Sequence, residues 1–298
     1  TGLVNVTAAT GTCSISASIA ADSIYNAATT TTPVTITVGP ASSTIVVTGS
    51  NTFTYTGSAQ GPSSSTVTGS TGLVTYSYSG SGSTSYGSST TKPTNVGTYT
   101  TTASVAASGN YATASSAAYA LNISQVAQVT SPVITSTVGT LGANLTLTTS
   151  GGSGGGTNSF TVDSGPCTVL GSTLSATAAG TCMVTATKAA NGNYLASSSL
   201  STEITIDKAT PTFTWSGLSK TYGATAFDLT APTPSTPGTW TYASGTPSVI
   251  SLNGISATVA AYGTSVITAT FTPDDAANYV SGGTITMTVT VSKATLGI

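Results

Sequence analysis

The sequence predicts an all-β chain of antiparallel sandwiches in tandem, and three observations carry that prediction. A segment opening with Gly-Thr recurs four times, as Gly11-Thr12-Cys13, Gly97-Thr98-Tyr99, Gly180-Thr181-Cys182 and Gly263-Thr264-Ser265. Its glycines stand 86, 83 and 83 residues apart, and the tyrosines that follow (Tyr25, Tyr111, Tyr194, Tyr279) stand 86, 83 and 85 apart. Residues after each Gly-Thr alternate in polarity with a period of two, as a strand with one buried face requires. Helical periodicity is absent.

Each element of the repeat follows from the same alternation. The strand after Gly97 turns Tyr99, Thr101, Ala103 and Val105 inward and Thr98, Thr100, Thr102 and Ser104 outward. Its counterparts bury Cys182, Val184 and Ala186, then Ser265, Ile267, Ala269 and Phe271. Alanine at the third inward position of every copy predicts close approach of two sheets. A further strand follows each tyrosine: Val34-Ile36-Val38, Tyr119-Leu121-Ile123, Ile204-Ile206 and Ile285-Met287-Val289-Val291. Upstream lies an aromatic-bearing strand at Tyr76-Tyr78, Phe160-Val162 and Trp240-Tyr242, whose rings fit the space between sheets. Gly- and Pro-rich gaps such as 150–156 and 230–238 separate the strands, and the spacing argues an immunoglobulin-type sandwich. The glycine run Gly151 to Gly156 lacks the Lys and helix of a phosphate loop and reads as a hairpin tip.

The run Gly165-Pro166-Cys167-Thr168-Val169, Gly180-Thr181-Cys182 and Lys188-Ala189-Ala190-Asn191-Gly192-Asn193-Tyr194 resembles bacterial immunoglobulin-like repeats of long surface proteins. Lys92-Pro93-Thr94-Asn95-Val96-Gly97-Thr98-Tyr99 resembles the MBG variety of that group, and Phe271-Thr272-Pro273-Asp274-Asp275 leading to Asn278-Tyr279 a further variant. The resemblance covers nearly the whole chain and implies tandem immunoglobulin-like domains. They are expected at 1–38 (the C-terminal part of a domain), 39–126 (MBG-type), 127–208 (with a disulfide) and 209–294, with 295–298 opening another repeat. Both ends then read as cuts through a longer array, or as places where a neighbouring chain supplies strands.

Composition narrows the function. Only 4% of the 298 residues are charged, net charge is −2, and there is neither His nor Arg. The five lysines (Lys92, Lys188, Lys208, Lys220, Lys293) are scattered singly, so the clustered cations that nucleic acid demands are lacking. No apolar run reaches the ~20 residues of a membrane-spanning helix. A His-based triad and His-containing metal sites are impossible. Of the seven acids only Asp274 and Asp275 adjoin; calcium binding by them is weighed against a polar turn, and the turn is preferred. Between Gly39 and Gln125 there is Lys92 but no acid, which excludes the usual Lys–Asn isopeptide chemistry there. Sequons at Asn5, Asn122 and Asn144 follow from the Ser/Thr/Asn-rich composition.

The three cysteines point outward from the cell. Cys167 and Cys182, 15 residues apart, are expected to be brought together by two neighbouring strands. A disulfide there closes a loop worth about 3 kcal/mol and implies an oxidising compartment. Cys13 occupies the place of Cys182, so its partner is expected about 15 residues earlier, before residue 1. A free thiol and an intermolecular bridge are the other readings. Trp240 is expected in the core; Trp215 is expected either against the preceding domain or against a ligand. The chain therefore reads as a non-catalytic, extracellular structural protein without cofactor, forming a stalk, filament or surface coat. Self-association is the expected partnership for so uncharged a surface. The alternatives are an adhesin binding glycan or a host protein, and an appendage of a larger enzyme.

Overall fold

A computed structural model describes residues 2–8 and 10–297, all of them strand, turn or coil. Two compact units result, Thr1–Gln128 with Ala190–Leu195, and Val129–Ala189 with Ala196–Ile298. The first unit opens with a hairpin in which Gly11–Ile15 pairs antiparallel with Val34–Val38, setting Cys13 opposite Ile36. The same register recurs in the three later copies, as Tyr99 opposite Leu121, Cys182 opposite Ile204 and Ser265 opposite Val289. The hairpin's apolar row is largely open to solvent, whereas the three later rows are enclosed.

The complete sandwich of the first unit is built around Gly97–Val105. This strand pairs with Val74–Gly80 on one edge and Tyr119–Ser124 on the other. Thr52–Thr54 runs parallel to Tyr119–Ser124 and closes that sheet, while Thr44–Thr48 and Ser64–Thr68 pair antiparallel as the opposing layer. The first strand thus divides itself between two sheets. Tyr99, Thr101, Ala103 and Val105 are all buried, each at 3% exposure or less. Ala103 and Val105 pack on Ile45 and Val47 across the layers, and Tyr78 and Tyr99 fill the other half with Leu121 and Ile123. The phenols are satisfied, Tyr78 donating to Pro62 O at 2.6 Å and Tyr99 to Asn95 O at 2.7 Å.

The second unit holds two sandwiches of the same plan. In the first, Gly180–Lys188 lies between Asn158–Ser164 and Thr202–Asp207, with Val138–Thr140 parallel beyond the latter. Leu145–Thr146, Thr173–Ala176 and Cys167–Leu170 form the facing sheet. In the second, Gly263–Pro273 lies between Gly238–Ser244 and Thr284–Ser292, with Leu218–Thr221 parallel beyond and Phe227–Asp228, Ser256–Val259 and Ile250–Asn253 opposite. A divided first strand, two facing antiparallel sheets and a central aromatic-bearing strand define the immunoglobulin-like sandwich. The fold is all-β, with such sandwiches in tandem. Ala103, Ala186 and Ala269 are fully buried, so the position expected to bring the sheets close does lie between them.

Three local expectations change. Cys167 and Cys182 are joined, with their Cα atoms 6.1 Å apart, but they are not on neighbouring strands. Cys167–Leu170 pairs with Thr173–Ala176, so the bond staples one sheet to the other. The segment after Thr149–Ser150, with Gly151, Gly152 and Gly154 at φ near +75°, is not a hairpin tip: the strands flanking it pair in different sheets, so it crosses the sandwich. Trp215 packs neither on the preceding sandwich nor free of protein. Its ring meets Tyr242 at 5.9 Å and its Nε1–H donates to Thr230 O at 2.7 Å, all inside its own sandwich. Trp240 joins Phe213 and Phe271 at centroid distances of 5.0 and 4.8 Å.

Thr101 stands where the other sandwiches place Val184 and Ile267, and its buried hydroxyl has no hydrogen-bond partner. Replacing it by an isosteric methyl removes an unpaid desolvation penalty. Thr101→Val is therefore expected to stabilise the first unit by about 1 kcal/mol, read as a higher urea midpoint. The pH response follows from few groups. Hydrogen bonds from Ser201 and Thr185 lower the Asp163 carboxyl, and the Ile24 and Tyr25 amides lower Asp22, so their contribution is present above the unfolded value and lost as pH falls. Burial raises the phenols of Tyr78, Tyr99 and Tyr242, so their contribution is present below the unfolded value and lost as pH rises. Melting temperature is expected to be flat between about pH 4 and pH 10 and to fall on both sides.

Candidate functional site

The recurring glycine begins the central strand at one pole of each sandwich, and its identity is dictated by backbone. Gly11, Gly180 and Gly263 sit at φ of +142°, +137° and +136°, a conformation that a Cβ disfavours. Gly97 has an ordinary φ, but a Cβ there would meet the Thr84 side chain at 2.8 Å. The residue just before this glycine presents its amide at the same pole. In the first unit the amide is that of Val96, and it donates to Asn193 Oδ1 at 2.9 Å. In the second unit it is that of Ala179, and it donates to Asn278 Oδ1 at 2.8 Å.

Both asparagines immediately precede a landmark tyrosine, so the two bonds are one device used twice. In each unit an Asn-Tyr loop caps a pre-glycine amide that lies 97 or 99 residues earlier in the chain. A second element holds the loop in place. Ala41, Val126 and Ala209, one in the segment that leads into each complete sandwich, form parallel backbone bridges to Tyr111, Tyr194 and Tyr279. Each takes the carbonyl of the asparagine, Ala41 N to Asn110 O at 2.9 Å, Val126 N to Asn193 O at 3.1 Å and Ala209 N to Asn278 O at 2.9 Å. The carbonyl of each in turn accepts from the amide of the residue after the tyrosine, at 2.8, 2.9 and 3.0 Å respectively.

Side chains then tailor each joint. In the first unit Asn193 Nδ2 reaches Asn95 Oδ1 at 3.2 Å, Gln125 donates to Gly192 O at 3.1 Å, and the Tyr194 ring sets its edge on Tyr55 at 5.6 Å. In the second, Lys208 Nζ donates to Ala276 O at 2.6 Å and Asp275 Oδ2 accepts from Asn278 Nδ2 at 2.7 Å. Asp275, weighed above as a calcium ligand, is thereby occupied in orienting the asparagine amide. Asp274 N donates to Pro237 O, and no group of three His, Cys, Asp or Glu gathers among the described residues. Asp22 caps the corresponding loop of the opening hairpin, accepting from Ile24 and Tyr25 amides at 2.8 Å each. There Ile24 replaces the asparagine.

Cys13 is a free, exposed thiol, and no described helix is long and apolar enough to cross a membrane. Sequence reasoning used Asn-Tyr as a distance marker and missed its role. The signal was present, as asparagine before tyrosine in three copies of four, but its partner lies 97 or 99 residues away.

No family model matches the chain, and no curated protein does. Among solved structures it is similar to Sidekick-1 immunoglobulin domains 1–5 (14% identity, 93% of this chain and 66% of that one, TM-score 0.34). It is also similar to Drosophila N-cadherin EC1-4 (10% identity, 73% and 67%, TM-score 0.25) and to the N-terminal eight immunoglobulin domains of Down Syndrome Cell Adhesion Molecule (12% identity, 89% and 38%, TM-score 0.28). The fold assignment rests on the strand topology described above.

Losing one side-chain hydrogen bond to a partly buried amide costs about 1 kcal/mol. Asn278→Ala is expected to destabilise by that amount and to speed hydrogen exchange at the Ala179 amide at least fivefold, while amides in the middle of Gly180–Lys188 keep their rates. Unchanged exchange at Ala179, measured by NMR, would mean that the capping bond contributes nothing.

Proposed function

We propose that the chain is part of an extracellular structural protein, a tandem array of immunoglobulin-like modules of the bacterial, MBG-related kind that serves as a stalk, filament or surface coat. The modules are taken as 1–38, 39–126, 127–208 and 209–294, with 295–298 leading into another. The single observation that carries this reading is a repeated device: an Asn-Tyr loop caps a pre-glycine amide once in each unit, beside a linker bridge that occurs three times. A device that docks one module on another is what an array that transmits force or sets a spacing needs. The Cys167–Cys182 staple between the two sheets supports an oxidising, extracytoplasmic location. A surface with five cations and seven acids offers little repulsion between copies, which supports self-association. We take the chain as non-catalytic, with no nucleic acid as partner.

One observation favours the adhesin alternative. A groove of about 340 Å³ runs beside Trp215, lined also by Leu218, Thr230 and Met287. The indole edge is already engaged with Thr230, so only a face remains to stack on a sugar.

Surface biotinylation and protease shaving of intact cells producing the protein test the leading reading. Labelled, shaveable protein with Cys167 and Cys182 oxidised is the expected outcome. Retention inside with both thiols free would overturn it. A glycan-array signal abolished by Trp215→Ala would move the assignment to the adhesin.

A further inference from the structure

The joint has a third instance with its receiving half exposed. The receiving half consists of three positions: the pre-glycine residue and the residue after the short parallel strand, both in the leading sandwich, and the bridge residue of the linker that leaves it. At the first-unit joint these are Val96, Tyr55 and Val126, which meet respectively the Asn193 side chain, the Tyr194 ring and the Asn193-to-Leu195 backbone. At the second-unit joint the positions are Ala179, Leu141 and Ala209. The equivalence of Tyr55 and Leu141 is fixed by register: their amides take Ser124 O and Asp207 O, each at the end of the last strand.

In the last sandwich the same positions are Tyr262, Tyr222 and Ala294. Tyr222 N takes Ser292 O, as Tyr55 and Leu141 take their counterparts. Tyr262 precedes Gly263, and Lys293-Ala294-Thr295 repeats Lys208-Ala209-Thr210. Tyr222 and Tyr262 are 50% and 61% exposed, and with Lys293 and Leu296 they border a depression of about 380 Å³. No described residue accepts the Tyr262 N–H or pairs with the Ala294 backbone. Leu296 is 89% exposed, whereas Pro211, its counterpart two residues past Ala209, is buried in the sandwich that follows Ala209.

We infer that the face formed by Tyr222, Tyr262 and Ala294 is a docking site for the Asn-Tyr loop of an immunoglobulin-like module borne C-terminal to Ala294 in the same polypeptide. The incoming asparagine Oδ1 accepts the Tyr262 amide, the incoming tyrosine sets its ring edge on Tyr222, and Ala294 bridges the loop backbone. Lys293 Nζ, now 4.9 Å over the Tyr262 ring, is the counterpart of Lys208, which donates to the carbonyl of Ala276 in the docked loop. The source within the same polypeptide follows from the bridge. Ala41, Val126 and Ala209 each lead into the sandwich that carries the bridged tyrosine, 70, 68 and 70 residues further on. The linker therefore pairs with the loop of the module it leads into. The proposal extends the array reading but is decided separately from cellular location.

The test extends the full chain, joining a second copy of residues 210–297 directly after Ala294. Exchange at the Tyr262 amide, followed by NMR, is expected to slow at least tenfold against the unextended chain. Asparagine-to-alanine replacement in the appended loop alone is expected to restore the original rate. Unchanged exchange at Tyr262, with the appended central strand protected, would overturn the proposal. Should the appended copy not fold, the existing joint decides: Asn193→Ala must accelerate exchange at Val96, and failure to do so removes the mechanism. Slowing at Tyr262 in the unextended chain that grows with protein concentration would show that a second copy covers the face, which also overturns the assignment to the same polypeptide.

Discussion

Every described feature depends on the central strand that starts at the recurring glycine. It is flanked on both edges by hydrogen-bonded neighbours, and its inward row is deeply enclosed: Ala103, Val184, Ala186, Ile267, Ala269 and Phe271 have no exposed surface. Burial of such a row supplies the main favourable term, at roughly 25 cal/mol per Å² of apolar surface. The alanine in the row lets the facing sheet come close, so the layers make dispersion contacts although the cores are small. The residue before the glycine at the strand's start presents its amide to the capping asparagine in both joints. Core and joint are thus consequences of one strand, read from its two ends.

What replaces charge is the hydroxyl. Ser104 and Ser115 bond across their strands at 2.9 Å, and Thr187 and Ser198 do the same at the equivalent place at 2.8 Å. Ser116 and Ser199 each accept the amide of the core alanine, Ala103 or Ala186, at 3.0 and 2.9 Å. These rungs recur because the hydroxyl is short enough to reach a neighbouring strand without ordering a long side chain. An ion pair on the same exposed face would contribute little more and would weaken with salt. The sparse charge of this sequence therefore costs the fold little, and the few carboxylates it keeps serve as local clamps, as Asp22, Asp163 and Asp275 show.

The strands were legible because burial imposes a period of two, and that period is written in single residues such as Val184 and Ile267. The repeat was legible because a glycine is required at the same place, by a positive φ at Gly11, Gly180 and Gly263 and by the Thr84 side chain at Gly97, even where Cys182, Tyr99 and Ser265 differ beside it. The sheet to which Cys167 belongs was not legible. Fifteen residues permit either a hairpin or a crossing, and only the pairing of Cys167–Leu170 with Thr173–Ala176 decides between them. Trp215 escaped for a similar reason, since its partners Thr230 and Tyr242 are adjacent only after the sandwich closes. Thr101 was legible as an inward residue from the alternation, but not that its enclosed hydroxyl would lack a partner.

The joints were hardest to read, and their chemistry explains why. Backbone amides supply one half of each capping bond, so the receiving residue can be Val96 in one sandwich and Ala179 in another with no loss of the interaction. Only the asparagine is restricted, because it must accept one bond at Oδ1 while its Nδ2 is held by a neighbour, Asn95 in one joint and Asp275 in the other. Aspartate would lose the held donor, and alanine would lose both. A contact with one selective and one permissive partner leaves half a signature in the sequence. It also lets the same bond form between sandwiches whose loops and cores differ, since only the asparagine has to be kept.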